Sequence, residues 1–130
     1  MLYFVMPFMN GGSLQEVFAK YKKANEINTR FYVAQIVLGV GQLHELSVIH
    51  RDLKPGNVML DSLGYVKVID YGLARILENS SEKATTCLGT PLYVAPEVLK
   101  EDGYSYGADW WAIGILLHRM IFGVTPFQAG

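Results

Sequence analysis

The run His50-Arg51-Asp52-Leu53-Lys54-Pro55-Gly56-Asn57 lies between two apolar stretches, Val48-Ile49 and Val58-Met59-Leu60. A chain patterned this way has to pack both flanks into a core while holding a short, charge-rich loop where they meet. Loops positioned by a rigid scaffold are where binding and catalytic groups concentrate, so residues 50–57 form a candidate site. The chain can supply the scaffold: 51% of its 130 residues are apolar, which is enough for one packed domain and excludes disorder.

Composition narrows the partners. A formal charge of −1 with both signs interspersed argues against nucleic acid or a membrane surface as the source of affinity. The one cysteine, Cys87, cannot form an internal disulfide and suits a reducing compartment, so a cytoplasmic or nuclear setting is expected. The opening MLYFVMPFM has no basic n-region or small-residue cleavage site, and WWAIGILLHRMIF is too short to span a bilayer and contains His118 and Arg119. Both termini read as cut from the interior of a larger domain, since neither has a polar lead-in or exit.

Along the chain, Leu2–Met6 reads as a short buried strand ended by Pro7 and the Asn10-Gly11-Gly12 connector. Ser13 and Glu16 form a capping box for a helix of about three turns running into Lys20, Lys22 and Lys23. Asn28 is the expected cap of a longer helix through about Leu46, apolar on nearly every face. After the loop, Val58–Leu60 and Tyr65–Ile69 read as a β-hairpin around the turn at residues 61–64. Residues 70–97 lack a sustained period and read as an extended segment with a short helix after Ala95. Ser105 is the expected cap of a last helix, Gly107 to about Phe122.

HRDLKPGN, DYG beginning 13 residues after Asn57, GTPLYVAPE and DWWAIG follow one another in an order that resembles the protein kinases. The resemblance covers essentially the whole chain, and the set of ordered motifs is far more specific than any one of them. It implies an α+β, protein-kinase-like fold: mostly the helical C-terminal lobe with hinge, catalytic loop and activation segment, the N-terminal lobe and the last helices being absent. Residues 1–130 would then be a partial catalytic domain.

Elementary chemistry is compatible. Phosphoryl transfer needs a carboxylate to orient the attacking hydroxyl, hard oxygen ligands for a metal and a cation beside the transferred group. Taken alone, Asp52 also reads as an Asx-turn or capping residue. With the resemblance, Asp52 becomes the expected catalytic base, Lys54 the cation on the γ-phosphate of ATP, and Asn57 with Asp70 the ligands of Mg²⁺. Thr90 would contact Asp52 and Lys54, and Asp109 would brace the catalytic loop. Glu97 would pair with an arginine beyond the chain. Met6 would be the gatekeeper, Pro7 to Met9 the hinge against adenine, and Met59 the floor of that pocket, although each methionine reads equally as core.

Thr86 occupies the activation phosphosite of the cyclic-nucleotide-dependent (AGC) kinase group, with Arg51 and Arg75 as its cations, which implies an upstream kinase. Lys54 two residues after Asp52 resembles the serine/threonine kinases, so the implied partner is a protein with a Ser or Thr acceptor. The pattern also departs from the group. Pro7, Ser13, Gly56, Leu92 and Arg119 stand where Arg-selecting members carry acidic residues, so weak selection for basic residues is expected. Tyr71 replaces the usual phenylalanine, and Cys87-Leu88 reverses the usual order. No Gly-rich loop, strand lysine or partner glutamate is present, and exposed apolar faces are expected on the second and last helices. The other reading is a truncated, non-catalytic kinase-like module that acts by binding a partner.

Overall fold

The computed structural model describes residues 1–3, 5–79, 82–100 and 102–127. The first helix, α1 (Leu14–Tyr21), begins where the capping box requires: Glu16 N–H donates to Ser13 Oγ (3.2 Å), and Ser13 N–H donates to the Glu16 carboxylate (2.6 Å). Its inward face carries Leu14 and Phe18, both buried. The chain then turns, and Ala24 N–H donates to Met120 O (2.7 Å), tying this end of the molecule to the last helix.

Helix α2 (Glu26–Glu45) starts earlier than the sequence suggests. Asn25 is the cap and Asn28 supplies the N–H that it accepts (2.8 Å). Two asparagines three residues apart present the same capping chemistry, and the upstream one wins because the extra turn also lets Thr29 Oγ1 donate to Asn25 O (2.8 Å). Only Thr29, Ile36 and Val40 are buried along α2, so its apolar residues do not all find neighbours.

Two short ladders follow, β1 (Val48–Ile49) with β4 (Arg75–Ile76) and β2 (Val58–Leu60) with β3 (Val66–Val68), both antiparallel. The β2–β3 hairpin is as expected, with Val58 opposite Val68 and Leu60 opposite Val66. Asp61 closes its turn by accepting the N–H of Leu63 (2.9 Å) and Tyr65 (2.8 Å). Gln35 of α2 accepts Val66 N–H (3.0 Å), which fixes the hairpin against the helix. The expected strand at Leu2–Met6 does not form among the described residues. Those residues are exposed and no chain pairs with them, and an extended segment without a ladder partner leaves its backbone groups to water. Phe4 lies outside the described residues.

Helix α3 (Pro96–Leu99) is one turn, and α4 (Gly107–Phe122) is the apolar axis of the domain. Ser105 does not cap α4. Tyr106 is already in the right-handed helical region and takes the cap position, so Ser105 contributes only its carbonyl, to Ala108 N–H (3.2 Å). Gly123, at φ 80°, ends α4 in the left-handed conformation that glycine adopts freely. Leu116 and Met120 of α4, Ile36 and Val40 of α2, Leu14 and Phe18 of α1, and Val58 of β2 form the main core. A smaller cluster of Ala84, Ala95, Val98, Tyr104 and Ala108 secures residues 82–100 against the start of α4. No helix among the described residues is long and apolar enough to cross a membrane.

Candidate active site

The loop between β1 and β2 is held from beneath by one buried carboxylate. Asp109, in the first turn of α4 and 1% exposed, accepts His50 N–H and Arg51 N–H (both 2.9 Å) on its two oxygens. His44 Nε2 lies 2.9 Å from the same carboxylate, with its ring against Tyr106 and Trp110. Arg51, the second of those donors, carries φ 70°, a left-handed conformation that costs a non-glycine residue about 1 kcal/mol or more. The clamp over-determines the strained turn, after which Leu53 enters the main core and Asp52 is left at its edge.

Asp52, 8% exposed, is the centre of the polar contacts that follow the turn. Lys54 Nζ donates to Asp52 Oδ2 (2.6 Å) and Thr90 Oγ1 (3.1 Å), and Thr90 Oγ1 donates to Asp52 Oδ1 (2.7 Å). Asn57, at the end of the 3₁₀ turn Pro55–Asn57, gives its amide N–H groups to Asp52 O (2.9 Å) and Oδ2 (3.1 Å). Burial pushes the Asp52 carboxyl pKa up. The hydrogen bonds from Lys54 and Thr90, the Lys54 charge and the Asn57 amide outweigh burial and leave it below its ordinary value. Asp52 is therefore an ionised, immobilised acceptor at neutral pH.

The residue before Asp70 is tied to the loop through its backbone. Ile69 N–H donates to Asn57 O (2.9 Å), and His50 Nε2 lies 3.0 Å from Ile69 O while His50 Nδ1 accepts Asp52 N–H (3.3 Å). These bonds fasten the residue before Asp70 to both ends of the loop. Asp70 itself has φ 63° and is exposed, its Oδ1 accepting Gly72 N–H (3.2 Å). Because Asn57 donates both amide bonds to Asp52, its carbonyl oxygen remains as a hard ligand. Among the described residues no three His, Cys, Asp or Glu side chains form a metal cage. Mg²⁺ typically takes only one or two carboxylates beside substrate phosphates, so Asn57 and Asp70 fit it.

The remaining expected residues are placed less compactly. Met6 is 76% exposed, Pro7 is exposed, and Met9 and Met59 are half-buried. Their segment is laced to β2 by Gly11 N–H to Leu60 O (3.0 Å) and Leu60 N–H to Gly12 O (2.8 Å). Thr86 is exposed, and Tyr104 links it to the loop by donating to Thr86 O (2.8 Å) while accepting from Arg51 (3.3 Å). Arg51 Nε also donates to Leu73 O (2.5 Å). Arg75 is paired with Glu82 (2.5 Å) and makes no hydrogen bond to Thr86. Glu97, half-buried in the first turn of α3, forms no side-chain hydrogen bond or ion pair among the described residues. His44, His50, Tyr104 and Glu82 were not singled out from sequence. His50 alone had a signal, its position inside the polar run.

The protein kinase domain family matches residues 1–130. The chain belongs to that family. As a kinase domain it is 42% identical over 127 residues to ribosomal protein S6 kinase 2 beta of Xenopus laevis, covering 98% of this chain and 20% of that protein. It is 41% identical to serine/threonine-protein kinase Sgk2 of Mus musculus, covering 97% of the chain and 34% of Sgk2. It is 43% identical to serine/threonine-protein kinase sgk-1 of Caenorhabditis elegans, covering 98% and 28%. The kinase domain described here thus spans between a fifth and about a third of the length of these relatives. Mixed helices with small sheets agree with a kinase-like fold, and the relatives are serine/threonine kinases of the AGC type expected from the motifs.

Proposed function

We propose that the chain is the transfer-loop part of a serine/threonine protein kinase, moving the γ-phosphate of ATP to a Ser or Thr hydroxyl of a protein. The observation that carries this reading is the Asp52 carboxylate, buried, ionised and held by Lys54, Thr90 and Asn57 at the mouth of the loop. A substrate hydroxyl donating to Asp52 would be oriented for attack, and Asp52 would receive its proton as the bond to phosphorus forms. Oδ2 of Asp52 already accepts from Lys54 and Asn57, whereas Oδ1 accepts from Thr90 alone, so Oδ1 keeps a lone pair for the substrate hydroxyl. Lys54 places its charge where the transferred group arrives.

Asn57 and Asp70 would hold Mg²⁺, which when bound neutralises charge on the nucleotide phosphates. Met6, Pro7, Met9 and Met59 would face adenine once the opposite wall of the site is present. In lobe terms the chain is the hinge, catalytic loop, activation segment and most of the helical C-terminal lobe. The exposed Thr86 is the acceptor for an upstream kinase. Its phosphate would draw on Arg51, already linked through Tyr104, and on Arg75 after exchange from Glu82.

The test is phosphoamino-acid analysis of a mixed Ser, Thr and Tyr peptide pool incubated with Mg²⁺, ATP and the full-length protein carrying these residues. Phosphoserine and phosphothreonine are expected. Phosphotyrosine alone, or no incorporation, would overturn the reading.

A further inference from the structure

Next to Asp52 a groove of about 420 Å³ opens between α1, the catalytic loop and the end of α4, with Lys54, Gly56, Thr90, Leu92, Arg119 and Thr125 among its walls. It shares Lys54 and Thr90 with the acceptor site, so whatever lies in it is within a few residues of the hydroxyl that Asp52 would orient. No Asp or Glu lines it.

The charges in this groove do not balance. Lys54 is matched by Asp52 at 2.6 Å. Arg119 has no carboxylate within ion-pair distance among the described residues. Its guanidinium is nevertheless held in place, with one N–H donated to Gly123 O (2.9 Å) and the group lying 5.6 Å from the Phe18 ring centroid. A guanidinium has five N–H donors in a planar fork, so a fixed Arg119 retains donors suited to a carboxylate.

A second observation concerns Thr125, on the same wall. Its Oγ1 is, among the described residues, the one buried side-chain nitrogen or oxygen without a hydrogen-bond partner. Buried hydroxyls are nearly always satisfied, and one left over calls for an acceptor or donor that is supplied from outside. An anion between Arg119 and Thr125 would answer both the unmatched charge and the unmatched hydroxyl.

Building on the kinase reading above, we infer that this groove receives an acidic side chain of the protein substrate, with Arg119 as its counter-charge and Thr125 as a further donor. Basic side chains are rejected there by Arg119, and the groove offers no carboxylate to offset that repulsion. Arg119 and Thr125 are thus specificity residues. They bias which Ser or Thr reaches Asp52 and take no part in the transfer.

The test is a peptide library with a fixed Ser acceptor, phosphorylated by the full-length protein in wild-type, Arg119→Glu and Thr125→Val forms. Wild type is expected to favour Asp or Glu about fivefold in kcat/KM at one or two positions flanking the acceptor, and raised salt should compress that ratio. Arg119→Glu is expected to invert the ratio toward Lys and Arg, and Thr125→Val to reduce it through KM for acidic peptides. A flat or Arg-enriched wild-type profile would overturn the assignment even if neither variant folds, while leaving the kinase reading intact. Absence of transfer to every peptide would overturn both.

Discussion

Arg51 and Asp70, at the two ends of the stretch that holds the candidate site, each have a positive φ, 70° and 63°. Strain of this kind persists only where the surroundings over-determine it, and for Arg51 the cause is visible in the two N–H bonds to Asp109. Replacing Asp109 with Ala leaves the buried His50 N–H and the partly buried Arg51 N–H without their acceptor, a cost of about 2–5 kcal/mol borne locally. Amide hydrogen exchange at His50 and Arg51 should then quicken sharply, and unchanged protection would show that the loop is held some other way. For Asp52 the sign of the pH dependence follows from its lowered pKa. The folded state favours the charged carboxylate, so its contribution is present above the ordinary aspartate value and is lost as pH falls through the lower folded value. A limb in the rate between pH 5 and 8 should therefore survive Asp52→Asn in whatever residual activity remains. The resemblance of the ordered motifs to the protein kinases was enough to single out Asp52, Lys54, Asn57, Asp70 and Thr90 as expected site residues. It could not reveal His44, which meets Asp109 across 65 residues, because no local period encodes a long-range contact.

At the scale of elements, legibility follows locality. The α1 capping box and the β2–β3 hairpin depend on residues three to ten apart, and both stand where their patterns put them. The β1–β4 ladder is two residues long, too short to carry an alternation, yet it binds the start of the polar loop at residues 50–57 to the segment after Asp70. Gly89 reinforces that joint. At φ 116°, with a Cβ that would fall 2.9 Å from Arg51 O and 3.2 Å from Val94 Cγ2, it allows residues 82–100 to pass close over the loop. Gly89→Ala should destabilise by about 1–3 kcal/mol, seen as a lower denaturation midpoint, and an unchanged midpoint would mean the segment simply shifts. Further along the same segment, Thr86→Ala should lower the activity of the complete enzyme and Arg51→Gln should remove the response to Thr86 phosphorylation. Full activity in Thr86→Ala would dismiss the phosphosite.

The molecule as a whole leaves large apolar side chains in water: Leu2 at 90%, Phe8 at 89% and Leu38 at 73% exposed, with Phe122 and Ile121 at the end of α4. Large apolar side chains left in water favour association. The 130-residue chain by itself should therefore self-associate with rising concentration in sedimentation velocity, and Leu38→Gln with Phe122→Gln should reduce it. A monodisperse monomer throughout would refute the expectation. The same surface explains why the sequence reads as continuous core along α2 while the structure buries only three of its residues: hydrophobicity shows which residues favour burial, and the available neighbours decide which are buried. The central claim concerns the loop. Its most direct test is transfer of labelled γ-phosphate from ATP to a Ser peptide by the full-length protein, comparing wild type with Asp52→Asn. A loss in kcat of about 10²-fold or more, with the fold retained, is the expected result. Equal transfer by both forms would contradict the assignment of Asp52 as the base.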